Sequence, residues 1–322
     1  MHPNAQWLCA LLALCAAPAL AQPLYPAKTV RIIVPYPPGG GNDIVGRAYA
    51  EELTKRMGQS FIVDNRGGAS TIIGAELAAK APPDGYTLMI SSGTTFAIVP
   101  NLKSKVRYDP IRDYDPVSLL ATEPYLLVVH PSVPVHNVKE LIALAKAKPG
   151  QLTYASASIG SGGHLSGELF DLMTGTRMRH IPYKGSGPAI TDLAGGHVSM
   201  MYSTISSVHQ LVVNGRLRAI AVTSPKRSPA APDVPTVAES GVPDYDTTQW
   251  NAMVAPRGAP QNVIERLSSE LAAVVKSPEV RQRFTTLGLD PETSTPQQLG
   301  DHMKRQFARY GKLIKALGIK ED

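Results

Sequence analysis

The sequence predicts an α/β fold in two lobes, each with a mainly parallel sheet covered by helices on both faces. Three observations predict it. Short apolar runs alternate with helix-like segments for most of the 322 residues, the alternation breaks at two places that read as crossings between sheets, and nearly every run ends in glycine, serine and threonine.

The strand runs are, in order, VRIIVPY (30–36), FIVDN (61–65), TLMIS (87–91), YLLVVH (125–130), LTYAS (152–156), MRHIPY (178–183), VSMMY (198–202) and LRAIAVTS (217–224). Each is short, apolar and bounded by turn formers, as strands are. Helical segments at 43–57, 138–148 and 165–174 lie between them. Strand, helix, strand in that order calls for parallel neighbours, because a parallel pair needs a crossover and a helix supplies it.

In DPVSLLATEPYLLVV two apolar runs are separated only by residues 121–124, as expected where a strand leaves one sheet and enters another. The proline-rich passage SPKRSPAAPDVPTVAESGVPDYD precedes a further strand run, TTQWNAMVAP (247–256), and marks the second crossing. Residues 260–317 are helical, with breaks at Pro278, Pro291 and Pro296. The chain therefore divides into a first lobe, 25–121 plus 247–322, and a second, 122–246.

The opening MHPNAQWLCALLALCAAPALAQ has an apolar stretch at 7–17 and small residues at Ala19 and Ala21, which reads as a secretory signal over 1–21. The mature chain is expected to be exported and, with Cys9 and Cys15 both inside the signal, free of thiols and disulfides. The net charge of +6 belongs wholly to residues after Gln22. Its basic residues are scattered without aromatic interleaving, so nucleic acid is not an expected partner.

In open sheets, ligands bind where the carboxyl ends of parallel strands lead into helix N-termini. Here those ends are PPGGGND, RGGAS, SGTT, ASIGSGGH, KGSG and STISS. Glycines bring backbone amides close to a ligand, and a following helix adds free N–H groups and a positive dipole end. Asn42 is placed to cap a helix with Asp43 in its first turn, and Ser161 to cap one whose stripe is Leu165, Leu169 and Leu172. Asp43 serves either the dipole of its own helix or a ligand. His164 is either a capping residue or a ligand contact, and Lys184 either meets an anion or is a solvated loop lysine.

Enzyme fingerprints are missing from these ends. A phosphate loop needs Lys and a hydroxyl residue after its last glycine, and Asn42-Asp43 follows Gly41; a dinucleotide loop needs a third glycine beyond Gly41, and Ile44 follows instead. No Gly-x-Ser-x-Gly or His-Glu-x-x-His occurs, and the histidines lack metal-ligand spacing. Neither catalytic residue, metal nor cofactor is expected; the ends suit holding a ligand.

The strings YPAKTVRIIVPYPPGGGNDIVGR, APPDGYTLMISSGTT, KPGQLTYASASIGSGGHLSGELF, HIPYKGSGPAITDLAGGHVSMMYS and GRLRAIAVTSPKRSPAAPDVPTVAESG, in this order, closely resemble the Bug family. These are extracytoplasmic solute receptors related to tripartite tricarboxylate transporters. The resemblance implies a type II periplasmic binding fold that closes like a Venus flytrap on a small carboxylate, with ordered waters bridging to backbone. It also implies a periplasmic monomer that delivers its ligand to membrane transporter subunits. Carried over, the clamp comprises Pro37, Gly39, Gly40, Asn42 and Asp43 facing Ser158, Ser161, Gly162, Gly163 and His164, while Thr94, Ser203 and Thr204 read the other end of the ligand. Where relatives carry an acidic residue after VSMM, Tyr202-Ser203-Thr204 stands here, which leans against an amino-acid ligand. Gly67-Gly68 replaces a more rigid turn and casts doubt on contacts from that loop. Rival readings are a ligand sensor for a membrane signalling protein and a secreted hydrolase using Ser161 with His164.

Overall fold

The computed structural model describes residues 25–319, so the signal read at 1–21, with Cys9 and Cys15, lies outside the described residues. The apolar runs become strands close to where they were expected, and Phe61–Asn65 matches residue for residue. The first part of the chain forms β1 (Val30–Val34), α1 (Gly41–Met57), β2 (Phe61–Asn65), α2 (Ile72–Ala79), β3 (Thr87–Ser92), α3 (Val99–Leu102) and β4 (Tyr114–Glu123). The middle forms β5 (Tyr125–Val129), α4 (Val138–Ala147), β6 (Thr153–Ser156), α5 (Gly162–Thr174), β7 (Arg179–Pro182), α6 (Ser186–Ala194), β8 (Met200–Thr204), α7 (Ile205–Val213) and β9 (Arg218–Val222). The last part adds β10 (Gln249–Pro256), α8 (Gln261–Lys276), α9 (Pro278–Thr286), β11 (Asp290–Pro291) and α10 (Pro296–Leu317).

Two sheets result, ordered β11-β4-β10-β3-β1-β2 and β7-β6-β8-β5-β9. Both are mixed. β1 runs parallel to β2 and β3, and β6 parallel to β7 and β8, whereas β10 and β5 run antiparallel to their neighbours. β11, after α9, is also antiparallel to β4. β5 and β10 each come from the other sheet: without a crossover helix to turn the chain round, they arrive from the opposite end. β4 in the first sheet and β5 in the second are separated by Pro124 alone.

Both faces of each sheet are covered. Along β5, Tyr125, Leu127 and Val129 enter one core while Leu126 and Val128 enter the core on the opposite face. In β1, Val30, Ile32 and Val34 pack beneath α1 and α8, and Ile33 packs towards α2 and α10. That is why these strands read as unbroken apolar runs. Tyr310 and Ile314 of α10 pack with Leu165 of α5, so the last helix straps the first sheet's layer to the second's.

Two local expectations change. Gly40, not Asn42, caps α1, because the helix begins earlier, at Gly41, and leaves Asn42 in its first turn. The stripe on α5 stops short as well: Leu165 is buried but Leu172 is 57% exposed, since the helix leaves the core before its last turn.

Candidate ligand-binding cleft

The first loop leaves β1 through Pro35, Tyr36, Pro37 and Pro38 and reaches Gly39, whose φ is +85°. Only glycine takes that conformation without strain. It turns the Gly39 N–H onto Asp43 Oδ2 at 3.0 Å, while Asp43 also accepts from Arg47 Nε and Asn65 Nδ2, each at 3.0 Å. Burial works to raise the Asp43 carboxyl, but Arg47, Gly39 and Asn65 together hold it below the usual range. Both of its oxygens are thus engaged by protein donors.

The second loop repeats the device. Gly160 has φ +72° and donates its N–H to His164 Nδ1 at 3.1 Å, and Ser161 caps α5 by accepting from the His164 N–H at 3.3 Å. Nδ1 is therefore the acceptor nitrogen, and Nε2 faces Glu168 Oε1 at 3.5 Å. The His164 ring stacks on His180 with centroids 3.9 Å apart, and His180 Nε2 lies 2.6 Å from Ser156 Oγ, which itself donates to Ser158 O at 2.9 Å. Burial, reinforced by His164, pushes His180 down to about 3 against the pull of Glu168.

Both loops thus end as helix N-termini, whose first-turn N–H groups have no intrahelical acceptor. They face each other. A Cβ on Gly41 would lie 2.6 Å from Thr204 Oγ1 across the cleft, and one on Gly40 would lie 3.7 Å from Ser186 Oγ. Ser70 Oγ donates to Ile159 O at 3.3 Å, tying the loop after β2 to the second jaw. The two sheet layers are therefore in contact across the cleft.

Between them lies a cavity of about 560 Å³. Pro37, Gly40, Asn42 and Thr94 line it from the first sheet's side, and Ser158, Ser161, Gly162, Gly163, Ser203 and Thr204 from the second's. Gly39, Asp43 and His164 are not among the lining residues: Gly39 is exposed, while Asp43 and His164 are buried behind the wall and accept the loop N–H groups that shape the jaws. Lys184 lines the rim and is exposed.

Several lining residues were not expected as ligand contacts, although the RGGAS end was among the candidate strand ends. Gly68, Ala69, Ser70 and Thr71 have φ values of +127°, +46°, +53° and +83°, a run of left-handed backbone against the cavity. Strain of about 1–3 kcal/mol per non-glycine residue persists where the surroundings enforce it, commonly at binding sites. The glycine pair at the end of β2 was the available signal. Tyr125, Tyr202 and Gln249 also line the cavity, but nothing in the sequence sets these strand residues apart.

Asn42 Oδ1, Ser203 Oγ and Gln249 Nε2 are buried without a protein partner, and all three belong to lining residues. Buried polar atoms of this kind call for partners from outside the chain. No aspartate or glutamate is among the lining residues, so a ligand ammonium would meet no countercharge, whereas an anion would meet two helix N-termini. For hydrolysis, Ser161 would need a base, but both His164 ring nitrogens are turned to Gly160 and Glu168. Ser156, although bonded to His180, is fully buried and is not a lining residue.

Residues 45–319 match the tripartite tricarboxylate transporter family receptor. Protein BugT of Bordetella pertussis is 37% identical over 306 residues, 95% of this chain and 94% of BugT. Among solved structures, Rpa4515 of R. palustris with adipate is 38% identical with a TM-score of 0.89, covering 92% of this chain and 99% of that one. MatC from Rhodopseudomonas palustris with bound malate is 29% identical with a TM-score of 0.82, covering 90% and 100%.

Proposed function

The chain belongs to the tripartite tricarboxylate transporter receptor family, and from that premise we propose that it is a periplasmic receptor that captures a small organic carboxylate and delivers it to membrane transporter subunits. One observation carries this reading: two helix N-termini built to the same pattern oppose each other across a cavity without acidic lining. First-turn amides of α1 and α5 share the carboxylate. Asn42 Oδ1 is an unpaired acceptor and calls for a bridging water, which donates to it and to the ligand together. Relatives that hold adipate and malate support the ligand class. Lobes at 25–121 plus 247–322 and at 122–246 close about the two crossings, and contacts across the cleft favour the closed state.

A thermal-shift panel of mono-, di- and tricarboxylates, amino acids and neutral vitamins tests the reading. A true ligand at 100 times its Kd adds about 2.7 kcal/mol to stability and raises Tm by several degrees. Shifts from neutral compounds but from no carboxylate would sink it. Gly41→Ala sharpens the test: its Cβ meets Thr204 Oγ1 at 2.6 Å only when the lobes come together, so carboxylate affinity should fall at least tenfold (about 1.4 kcal/mol). The ligand-free urea midpoint should stay in place.

A further inference from the structure

Gln249 opens β10 at the second crossing and is 7% exposed, on the floor of the cleft and on neither jaw. The Tyr125 hydroxyl donates to its Oε1, and Nε2 is left buried without a protein partner. Tyr125 is itself held. A Cβ on Gly162 would sit 2.1 Å from the Tyr125 hydroxyl oxygen, so the ring packs directly against the first residue of α5. On β4 the residue in register with Gln249 is Glu123, whose Oε1 accepts from Ser206 N and Oγ while its Oε2, like Gln249 Nε2, is buried without a hydrogen-bond partner.

A carboxamide locked in this way is a one-way reader: it offers two N–H protons and no acceptor. We propose that Gln249 is the specificity-determining residue for a second polar group of the ligand, donating from Nε2 to a ligand oxygen and so selecting a carboxylate or carbonyl over an ammonium, with Tyr125 as its positioning residue. The proposal rests on the carboxylate-receptor reading and narrows it: the preferred ligand carries an acceptor at both ends. A donor left facing an ammonium keeps its desolvation penalty unrepaid and adds repulsion.

The test is calorimetry on the mature chain with α,ω-diacids of four to eight carbons and ω-amino acids of the same lengths. The wild type should bind a diacid at least tenfold more tightly than its amino-acid counterpart. Gln249→Glu keeps an acceptor for Tyr125 but puts a carboxylate where Nε2 stood, and should lower that ratio at least a hundredfold or invert it. Gln249→Met, which retains length, should weaken the diacid about tenfold to a hundredfold, the range of a lost hydrogen bond to a charged group, without gain for the amino acid. Tyr125→Phe should narrow the ratio by freeing the carboxamide to turn. A wild type that binds diacids while the Glu and Met variants keep its ratio overturns the role of Gln249 and leaves the carboxylate reading standing. Should Gln249→Glu fail to fold, an unchanged ratio in Gln249→Met alone overturns it. Failure of the wild type to bind any carboxylate overturns both.

Discussion

In the first jaw, Gly39 donates its N–H to Asp43, and in the second, Gly160 donates to His164; each donor has positive φ, and each acceptor stands three residues beyond the helix cap. The geometry is the same and the chemistry differs. Asp43 is a carboxylate held by Arg47 and Asn65, whereas His164 accepts through a neutral ring nitrogen and stacks on His180. The caps differ likewise: Ser161 uses its hydroxyl, and Gly40 has no side chain to use. A jaw amide can therefore be aimed by charge or by ring packing with equal geometric effect. The choice decides how each jaw answers to mutation and to acid.

The largest expected effect is on the charged brace. Asp43→Ala leaves the Gly39 N–H without its acceptor and takes one acceptor each from Arg47, which keeps Asn65 Oδ1, and Asn65, which keeps Tyr36 O, and should cost about 2 kcal/mol in urea denaturation. Asp43→Asn, which still accepts from Gly39, should recover part of this. A loss below about 1 kcal/mol for the alanine variant would break the comparison, because the first jaw would then stand without its brace.

Acid separates the braces next. His180 is held neutral, its pKa lowered from 6.5 to about 3, so its contribution is complete above pH 6.5 and is lost as the pH falls towards 3. After allowance for solvent screening this is on the order of 1–2 kcal/mol. His180→Phe, which keeps a ring against His164, should lack that portion of the acid loss. At the crossing the sign reverses. Burial, despite the Ser206 hydrogen bonds, raises Glu123 from 4.5 to about 8, so its contribution is present below pH 4.5 and disappears as the pH rises through 8. Glu123→Gln should flatten the alkaline side. Identical pH profiles for these variants and the wild type would show that neither site titrates as described.

The smallest effect concerns the caps. Ser161→Ala should cost about 1 kcal/mol, the usual value of a serine N-cap. Gly40→Ala should cost less, about 0.5 kcal/mol, because glycine is the better cap but its φ of −89° suits any residue and its Cβ would meet Ser186 only at van der Waals distance. Equal losses at the two positions would mean that the Ser161 hydroxyl contributes nothing beyond a glycine cap.

Much of the cleft was legible because strand ends and helix starts carry local signatures. Pro37, Gly40, Ser158, Ser161, Gly162 and Gly163 all line it, and each lies in a glycine- or serine-rich end visible in the sequence. Asp43 and His164 were legible as important but not in their direction. Whether such a side chain faces a ligand or its own loop depends on competition with Asn65, Arg47, Glu168 and His180, which only folding brings near. The loop at 68–71 was discounted for its glycines, yet those glycines begin the left-handed run that reaches the cavity.

By itself the sequence determined most of the strands, the helices at 43–57, 138–148 and 165–174, and the glycine- and serine-rich strand ends, because burial periodicity and glycine conformation act over a few neighbouring residues. Tertiary structure alone decided the antiparallel entry of β5 and β10 and the polar floor of the cleft. That floor depends on Tyr125 meeting Gln249 across 124 positions, a hydrogen bond whose partners carry no mark in the sequence until the chain crosses back between them.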